Sequence, residues 1–329
     1  MARLILHRLL LAIPVMIGIL LVAFLVLEKG IEDLRPDDVE AGSNLPPEML
    51  EERIAAFRRH HHLDEPLLSR FLDWTRRAVV LDLGESVREP VPVTTKLAEA
   101  LGPTLLLQGS ALALAVLLGL PFGMFLARRR GRLVERLGTS LLSGLIALPG
   151  FWVATLLIAF LATDAGFAIL PLEGLASRDA DELGPFAAFA DRVRHLVLPV
   201  TALALPLFAI TARFVRAAFL DALSSGWTRT LRAVGVGERR ILWRYAMRSA
   251  LPLLSAQLGL ALPDLVAGSI VIERIFAIPG TGTLLWNATF SRDFAVLQGL
   301  ILLTAATVLI AFLVADLIRL AYAPERAAE

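Results

Sequence analysis

The sequence predicts an all-α membrane protein with six transmembrane helices and both termini in the cytoplasm. Three observations carry this. Hydrophobic residues make up 57% of the 329-residue chain and mean hydropathy is +0.69, too apolar for an ordinary soluble domain. Six apolar segments are long enough to cross a hydrocarbon layer of about 30 Å at about 1.5 Å per residue. The loops between them alternate between arginine-rich and acidic.

The first span is Leu9–Leu27. Arg3 and Arg8 precede it, as they would a signal peptide. Its apolar run exceeds the usual signal core of about 7–15 residues, and Glu28-Lys29-Gly30 follows in place of a small-residue cleavage site. It is therefore expected to stay as a helix. The remaining spans are Thr104–Ala127, Gly138–Ala162, Leu196–Ala212, Leu251–Ile272 and Ala295–Ala315. The fourth is the shortest, holds Pro199 and Pro206, and is expected to continue past Arg213. Residues 1–8 hold two arginines and no acid, 128–136 five arginines and one acid, and 213–250 eight arginines and two acids. Residues 28–101 carry ten bases against sixteen acids, and 163–195 three against six. The positive-inside rule puts the first set in the cytoplasm. The chain then divides into 1–27 (N-terminal segment and first helix), 28–101 (extracytoplasmic loop) and 102–329 (five-helix core).

The first loop is too long for a connector. Pro47–His60 and Pro66–Val79 both show apolar residues at helical spacing, the second through Leu67, Leu68, Phe71 and Leu72 beside Trp74. Both read as amphipathic helices over the outer mouth or on the membrane surface. His60, His61 and His62 point about 100° apart on a helix and so form no single metal site. The chain has no cysteine, which excludes disulfides and thiolate sites. Its arginines sit at membrane ends rather than on a basic domain, which argues against nucleic acid binding.

Asp264 is the sole acidic or basic residue inside the six spans. Charge at membrane depth marks a pathway or is paired structurally. Asp264 therefore reads as a residue of the substrate path or as a carboxylate serving the helix ends freed by Pro263. Gln257 and Gln108 are the other polar candidates for that path.

The segment 220–250 does more than join two spans. Thr228–Val234 and Glu238–Ala250 read as helices separated by Gly235-Val236-Gly237, with Thr228 opening the first and Gly235 allowing a sharp turn. Glu238 suits the positive end of the second helix. Arg239, Arg240, Arg244 and Arg248 then run toward the membrane, where lipid phosphates or acidic protein groups would meet them. A folded basic helix pair fits a docking surface for a cytoplasmic partner better than a bare topology signal. Beyond the fifth span, Glu273 and Phe276–Gly282, punctuated by Pro279, Gly280 and Gly282, mark a tight loop. It reads either as an outer gate or partner seat, or as a stiff connector.

Several segments, in order, resemble the permease subunits of bacterial binding-protein-dependent ABC importers of the dipeptide, oligopeptide and nickel group. They are Arg3–Pro14, Leu63–Leu67, Leu81–Ser86, Leu148–Trp152, Arg229–Gly235 followed by Glu238–Arg240, Glu273–Gly282 and Arg292–Phe294. The resemblance implies a type I importer permease fold with a cytoplasmic coupling helix, in the inner membrane. It implies docking of ATPases through Arg229, Thr230, Arg232, Ala233, Gly235, Gly237, Glu238, Arg239 and Arg240. It also implies a second homologous permease, two cytoplasmic ATPases, an extracytoplasmic substrate-binding protein and contact with membrane lipid. No cofactor is expected on this chain; ATP and magnesium would sit on the ATPases, consistent with the lack of a GxxxxGK[ST] phosphate loop here. Arg229-Thr230-Leu231 stands where the wider family has Glu-Ala-Ala, and Pro263-Asp264 where the group has small residues. The expected function is a non-enzymatic half-channel for di- or oligopeptides. Nickel chelates and oligosaccharides are alternative cargoes, and an autonomous secondary transporter using Asp264 is the alternative from another class.

Overall fold

The computed structural model describes residues 10, 14–25, 28, 65–86 and 88–322. The expected helix Pro47–His60, the histidine run and parts of the span Leu9–Leu27 lie outside these residues. The described chain is helical: α1 (Pro14–Leu25), α2 (Leu67–Val79), α3 (Val93–Arg128), α4 (Leu133–Ala147), α5 (Gly150–Leu161), α6 (Pro185–Ser224), α7 (Gly226–Ala233), α8 (Met247–Ala261), α9 (Asp264–Ala267), α10 (Ile270–Ile275), α11 (Thr281–Phe290) and α12 (Phe294–Tyr322). Among the described residues, α3, α6 and Phe294–Val314 of α12 are long and apolar enough to cross a membrane. The pair α4 and α5 makes a fourth if it counts as one bent span.

Two expected spans are not single rods. The third breaks at Leu148-Pro149, where the backbone is extended and the two halves meet at 97°. Pro149 has no N–H to continue the ladder and pushes Leu148 out of the helical region. The fifth ends its first half at Ala261, turns through Pro263 into the one-turn α9, and breaks again at Gly268, whose φ is 73°. By contrast, α3 runs unbroken through Pro103 and Pro121, and α6 through Pro199 and Pro206. Helices tolerate such prolines when neighbours satisfy the freed carbonyls.

The chain forms two compact units. Among the described residues, one comprises Ala100–Leu284 with the segment from Thr307; the other falls within Leu6–Glu99 and Leu285–Ala306. In the second unit, Phe24 of α1 packs edge-on against Phe71 at 5.5 Å and lies 5.9 Å from Trp74, so the apolar stripe of α2 meets α1. In the first turn of α3, Lys96 Nζ donates to Ser86 Oγ at 3.0 Å, and Ser86 donates to buried Asp293.

In the first unit, helix faces meet through small residues. Gly119 and Gly123, one turn apart on α3, let α6 approach: an added Cβ would lie 3.0 Å from Thr211 Cβ at Gly119 and 2.5 Å from the Ala212 carbonyl at Gly123. Lipid cannot drive helices together as water does, so close backbone contact supplies the attraction. Leu126, Leu142, Ala209 and Ala212 bury beside this contact and join α3, α4 and α6. A second cluster gathers Leu107, Ala154, Leu198 and Phe276 from α3, α5, α6 and the end of α10. A third joins Met124 and Phe219 to Leu242, Ala246 and Leu254.

Glu135 at the start of α4 is buried and accepts Arg216 Nε of α6 at 3.0 Å, and also Arg216 Nη2. Its other oxygen accepts the Gly131 N–H at 2.7 Å, which fixes the turn at Gly131, whose φ is 78°. The Arg216 hydrogen bond, aided by the Gly131 N–H, holds this carboxyl below its ordinary 4.5, against the opposing effect of burial.

Three outcomes follow. Gly123→Leu should cost about 2–3 kcal/mol by overpacking, measured as the melting temperature of the detergent-solubilised protein. Gly144→Ala, where an added Cβ meets nothing within 4 Å, should stay within about 0.5 kcal/mol. Glu135→Gln should lower the melting temperature near neutral pH. The stabilisation from a depressed carboxylate is present above its ordinary range and is lost as pH falls through the folded value. Melting curves of parent and variant should therefore converge in acid; a gap unchanged down to about pH 3 would refute the assignment.

Candidate functional site

The basic segment folds as a short helix held at both ends. α7 opens at Gly226 behind Ser225, two residues earlier than Thr228 suggests. Thr228 is instead the third helical residue, fully buried, and its hydroxyl donates to the Ala222 carbonyl at the end of α6 at 2.6 Å. Ser225 Oγ donates to the same carbonyl at 2.6 Å. The elbow between α6 and α7 is thus tied by two hydroxyls.

The far end of α7 closes through Gly235. The Val236 N–H bonds the Leu231 carbonyl at 3.0 Å and the Gly235 N–H bonds Arg232 at 3.0 Å, with Gly235 at a φ of 82°. This is a Schellman motif, in which a left-handed residue reverses the chain and satisfies the last carbonyls. Across the turn, Arg232 Nε donates to Glu238 Oε1 at 2.6 Å and Nη2 to Oε2 at 3.3 Å. This fork holds the Glu238 carboxyl below its ordinary range and raises Arg232. Glu238–Arg240 then runs into a π-helical turn, Ile241–Ala246, and on into α8. Arg229, Thr230, Arg232, Ala233, Gly235, Gly237, Glu238, Arg239 and Arg240 are all exposed. Around Gly235 there is open space: an added Cβ would meet nothing within 4 Å. Its requirement is conformational rather than steric.

The second constellation lies where α9 and α10 break. Glu273 is fully buried. Its Oε1 accepts Thr104 Oγ1 of α3 at 3.0 Å and the Ser269 N–H at 3.3 Å; its Oε2 accepts the Thr283 N–H at 2.9 Å. Thr104 Oγ1 in turn accepts the Thr281 N–H at 2.7 Å, and Thr281 Oγ1 donates to the Val266 carbonyl at 2.6 Å. Gly280 is packed against this knot, where a Cβ would stand 2.4 Å from Thr104 Oγ1 and 2.5 Å from Glu273 Oε2. Gly282 is confined the same way by Ile270 and Glu273. Phe276 is buried in the core and ends α10, with Ala277 beyond it at a φ of 51° and Pro279 in the following turn. Of the five loop residues singled out in the sequence, Gly280 and Gly282 pack against the carboxyl of Glu273, while Phe276 joins the apolar core. Ser269, Thr104, Thr281 and Thr283 complete the knot; the hydroxyl-rich turn Thr281-Gly282-Thr283 was its one visible trace in the sequence.

The three path candidates are not brought together by any hydrogen bond among the described residues. Gln108 is buried on α3. Gln257 of α8 donates from Nε2 to Thr211 Oγ1 of α6 at 2.8 Å. Asp264 is exposed at the first turn of α9 and caps no helix end through its side chain. No group of three metal-ligating residues occurs among the described residues.

Comparison with known proteins bears on both constellations. The chain is 31% identical over 97% of its length, and 97% of the relative's, to the oligopeptide transport system permease protein AppB of Bacillus subtilis. It is 32% identical to the glutathione transport system permease protein GsiC of Salmonella typhimurium over 98% of each chain. The Escherichia coli protein of the same name is 33% identical over 84% of this chain and 85% of its own. Its fold is similar to a chain in a structure of the MetNI methionine ABC transporter in inward-facing conformations, with a TM-score of 0.51 at 19% identity, covering 70% of this chain and 97% of that one. Residues 119–327 match the family described as the binding-protein-dependent transport system inner membrane component, a span that contains α7, its turn and the Glu273 knot apart from Thr104. The chain belongs to that family: it is a multi-pass permease subunit of a bacterial inner-membrane ABC importer of the peptide and nickel group, works with ATPase and substrate-binding partners, and leaves ATP hydrolysis to separate subunits.

Proposed function

We propose that this chain forms half of the translocation path of an importer for di- or oligopeptides. The observation that carries the cargo class is the end-to-end similarity to permeases named for oligopeptide and glutathione transport. A second homologous permease completes the path, and two ATPases and one binding protein complete the assembly. Six helices cross the membrane with both termini in the cytoplasm, as the arginine asymmetry of the loops requires. ATP and magnesium stay on the ATPases, and this chain carries no cofactor. Nickel chelates and oligosaccharides fall to the alternative, because neither name occurs among these relatives. The autonomous transporter is set aside, since a binding-protein-dependent component is driven by its partners.

In this reading α7 is the coupling helix. It seats in an ATPase with its exposed arginines and Ala233. Closure of the ATPases pushes it, and its two tied ends convert the push into motion of α6 on one side and α8 on the other. Two states of a packed bundle then alternate, inward-facing and outward-facing. Glu273 does not touch a partner; its knot sets the shape of the outer loop that Pro279, Gly280 and Gly282 form. Asp264, exposed between two broken helix ends, is the residue of this set placed to meet cargo in the path, with Gln257 and Gln108 as the other polar candidates for it.

Two experiments test the reading, both on the reconstituted complex in proteoliposomes. Gly235→Val strains the left-handed turn by about 1–2 kcal/mol and should leave the subunit inserted while cutting peptide uptake at least about tenfold and removing stimulation of the ATPase by loaded binding protein. Gly235→Asn, which tolerates that conformation, should retain most uptake. Normal coupling in the Val variant would sink the lever. Gly280→Ala drives a methyl into the Glu273 knot and should lose uptake with the ATPases still bound; full uptake would show that the knot does not shape the path.

A further inference from the structure

The stretch after the Gly235 turn has a second face. Arg240, Arg244 and Arg248 form one stripe at four-residue spacing, all exposed. Beside it a second stripe runs Arg239, Trp243, Met247, Leu251, changing from charged through aromatic to apolar. The two stripes line one open cavity of about 770 Å³. Its apolar end is Leu251, the first residue of the expected fifth span. None of the four arginines has an ion pair with any described residue, whereas Arg232 and Arg216 are both taken by carboxylates. Trp243 is 54% exposed, in a π-helical turn whose other side, Ile241, Leu242 and Ala246, is buried. Single π-helical turns are frequent at functional sites.

We propose that this cavity is a binding site for an anionic phospholipid of the cytoplasmic leaflet. The shape of the site selects that occupant. Guanidinium groups pair with phosphate in a two-pronged geometry. An indole ring sits at the head-group level, with its apolar body toward the acyl chains. Met247 and Leu251 continue the apolar stripe in the direction the chains take. An acidic protein surface would answer the arginines but would leave that apolar end unmatched. Zwitterionic lipid would fill the apolar end but bring no net charge. The site rests on the orientation proposed above only for the name of the leaflet. It adds a lipid contact to the α7 lever, because the same continuous helix leaves the Gly235 turn and passes through the cavity.

The test uses the assembled importer with Trp74, Trp152, Trp227 and Trp286 changed to Phe, so that Trp243 is the remaining indole of the permease. The purified complex, with its ATPases and second permease made free of tryptophan, is placed in phosphatidylcholine nanodiscs that carry either brominated phosphatidylglycerol or the same fraction of brominated phosphatidylcholine. Bromine quenches an indole in direct contact. Each basic residue at a charged surface favours anionic lipid by about fivefold, so phosphatidylglycerol should quench Trp243 at a bulk fraction at least about threefold lower. Arg244→Gln with Arg248→Gln, both outside the ATPase-docking set, should make the two lipids equivalent while ATPase subunits stay bound. Equal quenching in the parent, or a preference that survives the double substitution, overturns the proposal. Equal quenching together with loss of ATPases from the double variant assigns the arginines to the protein partner instead, and overturns it too. If the double variant does not assemble, the comparison of lipids in the parent decides alone. Nanodiscs expose both leaflets, so an inverted topology cannot imitate a negative result, and peptide uptake is not read.

Discussion

A helix that breaks inside a packed core leaves carbonyls and N–H groups that water cannot reach, and the region around Glu273 is arranged around that constraint. The helical run of α8 stops at Ala261 and does not resume as a helix of more than one turn until Ile270. The groups freed there are taken by side chains from elsewhere. Glu273 accepts the Ser269 and Thr283 N–H groups, and Thr281 donates to the Val266 carbonyl. Thr104, 169 residues away from Glu273 in the chain, closes the set. A buried polar group without a partner costs about 1–3 kcal/mol, so the break can exist only where the knot exists. The glycines at 268, 280 and 282 have no Cβ because carboxyl and hydroxyl oxygens occupy that space.

The same accounting governs the arginine-rich side. Glu135 is satisfied by Arg216 and the Gly131 turn, and Glu238 by Arg232. Two of the three acids in these loops are thus spent on holding corners in place. What remains outward is a set of arginines with no carboxylate of the described chain to meet, on a helix fixed at both ends. The Arg232–Glu238 pair is exposed, and such pairs contribute little stability in general. Its effect is geometric: it holds the turn after α7 in one orientation.

Much of this was legible because its causes are local. Uninterrupted apolar runs with glycine, proline or arginine at their ends mark α3, α6 and α12, and the four-residue spacing of Leu67, Leu68, Phe71 and Leu72 marks α2. Gly235 was readable as a left-handed turn because few other residues adopt that conformation. The break at Pro149 was present in the sequence as Leu-Pro-Gly, but an apolar run on both sides gives no periodicity by which to tell a 97° bend from a tolerated kink. Pro121 and Pro206, in equally apolar surroundings, leave their helices intact. The partners of Glu273 and Glu135 were not legible, since the bonds span 169 and 81 residues and many hydroxyls and arginines were equally eligible. Thr228 was misplaced by two positions because its hydroxyl ties back to α6 rather than capping its own helix.

The length of α6 has a mechanical consequence. Its 40 residues make a rod about 60 Å long at about 1.5 Å per residue, roughly twice the thickness of the hydrocarbon it crosses. Rotated by about 10° around its midpoint, such a rod would sweep each tip sideways by about 5 Å, in opposite directions. One end is bonded through Ser225 and Thr228 to α7. A shove of a few ångströms at that end would be returned as an equal and opposite displacement at the other, with no need for the middle to travel. Pro199 and Pro206 sit within the rod and set where it yields if that middle is clamped.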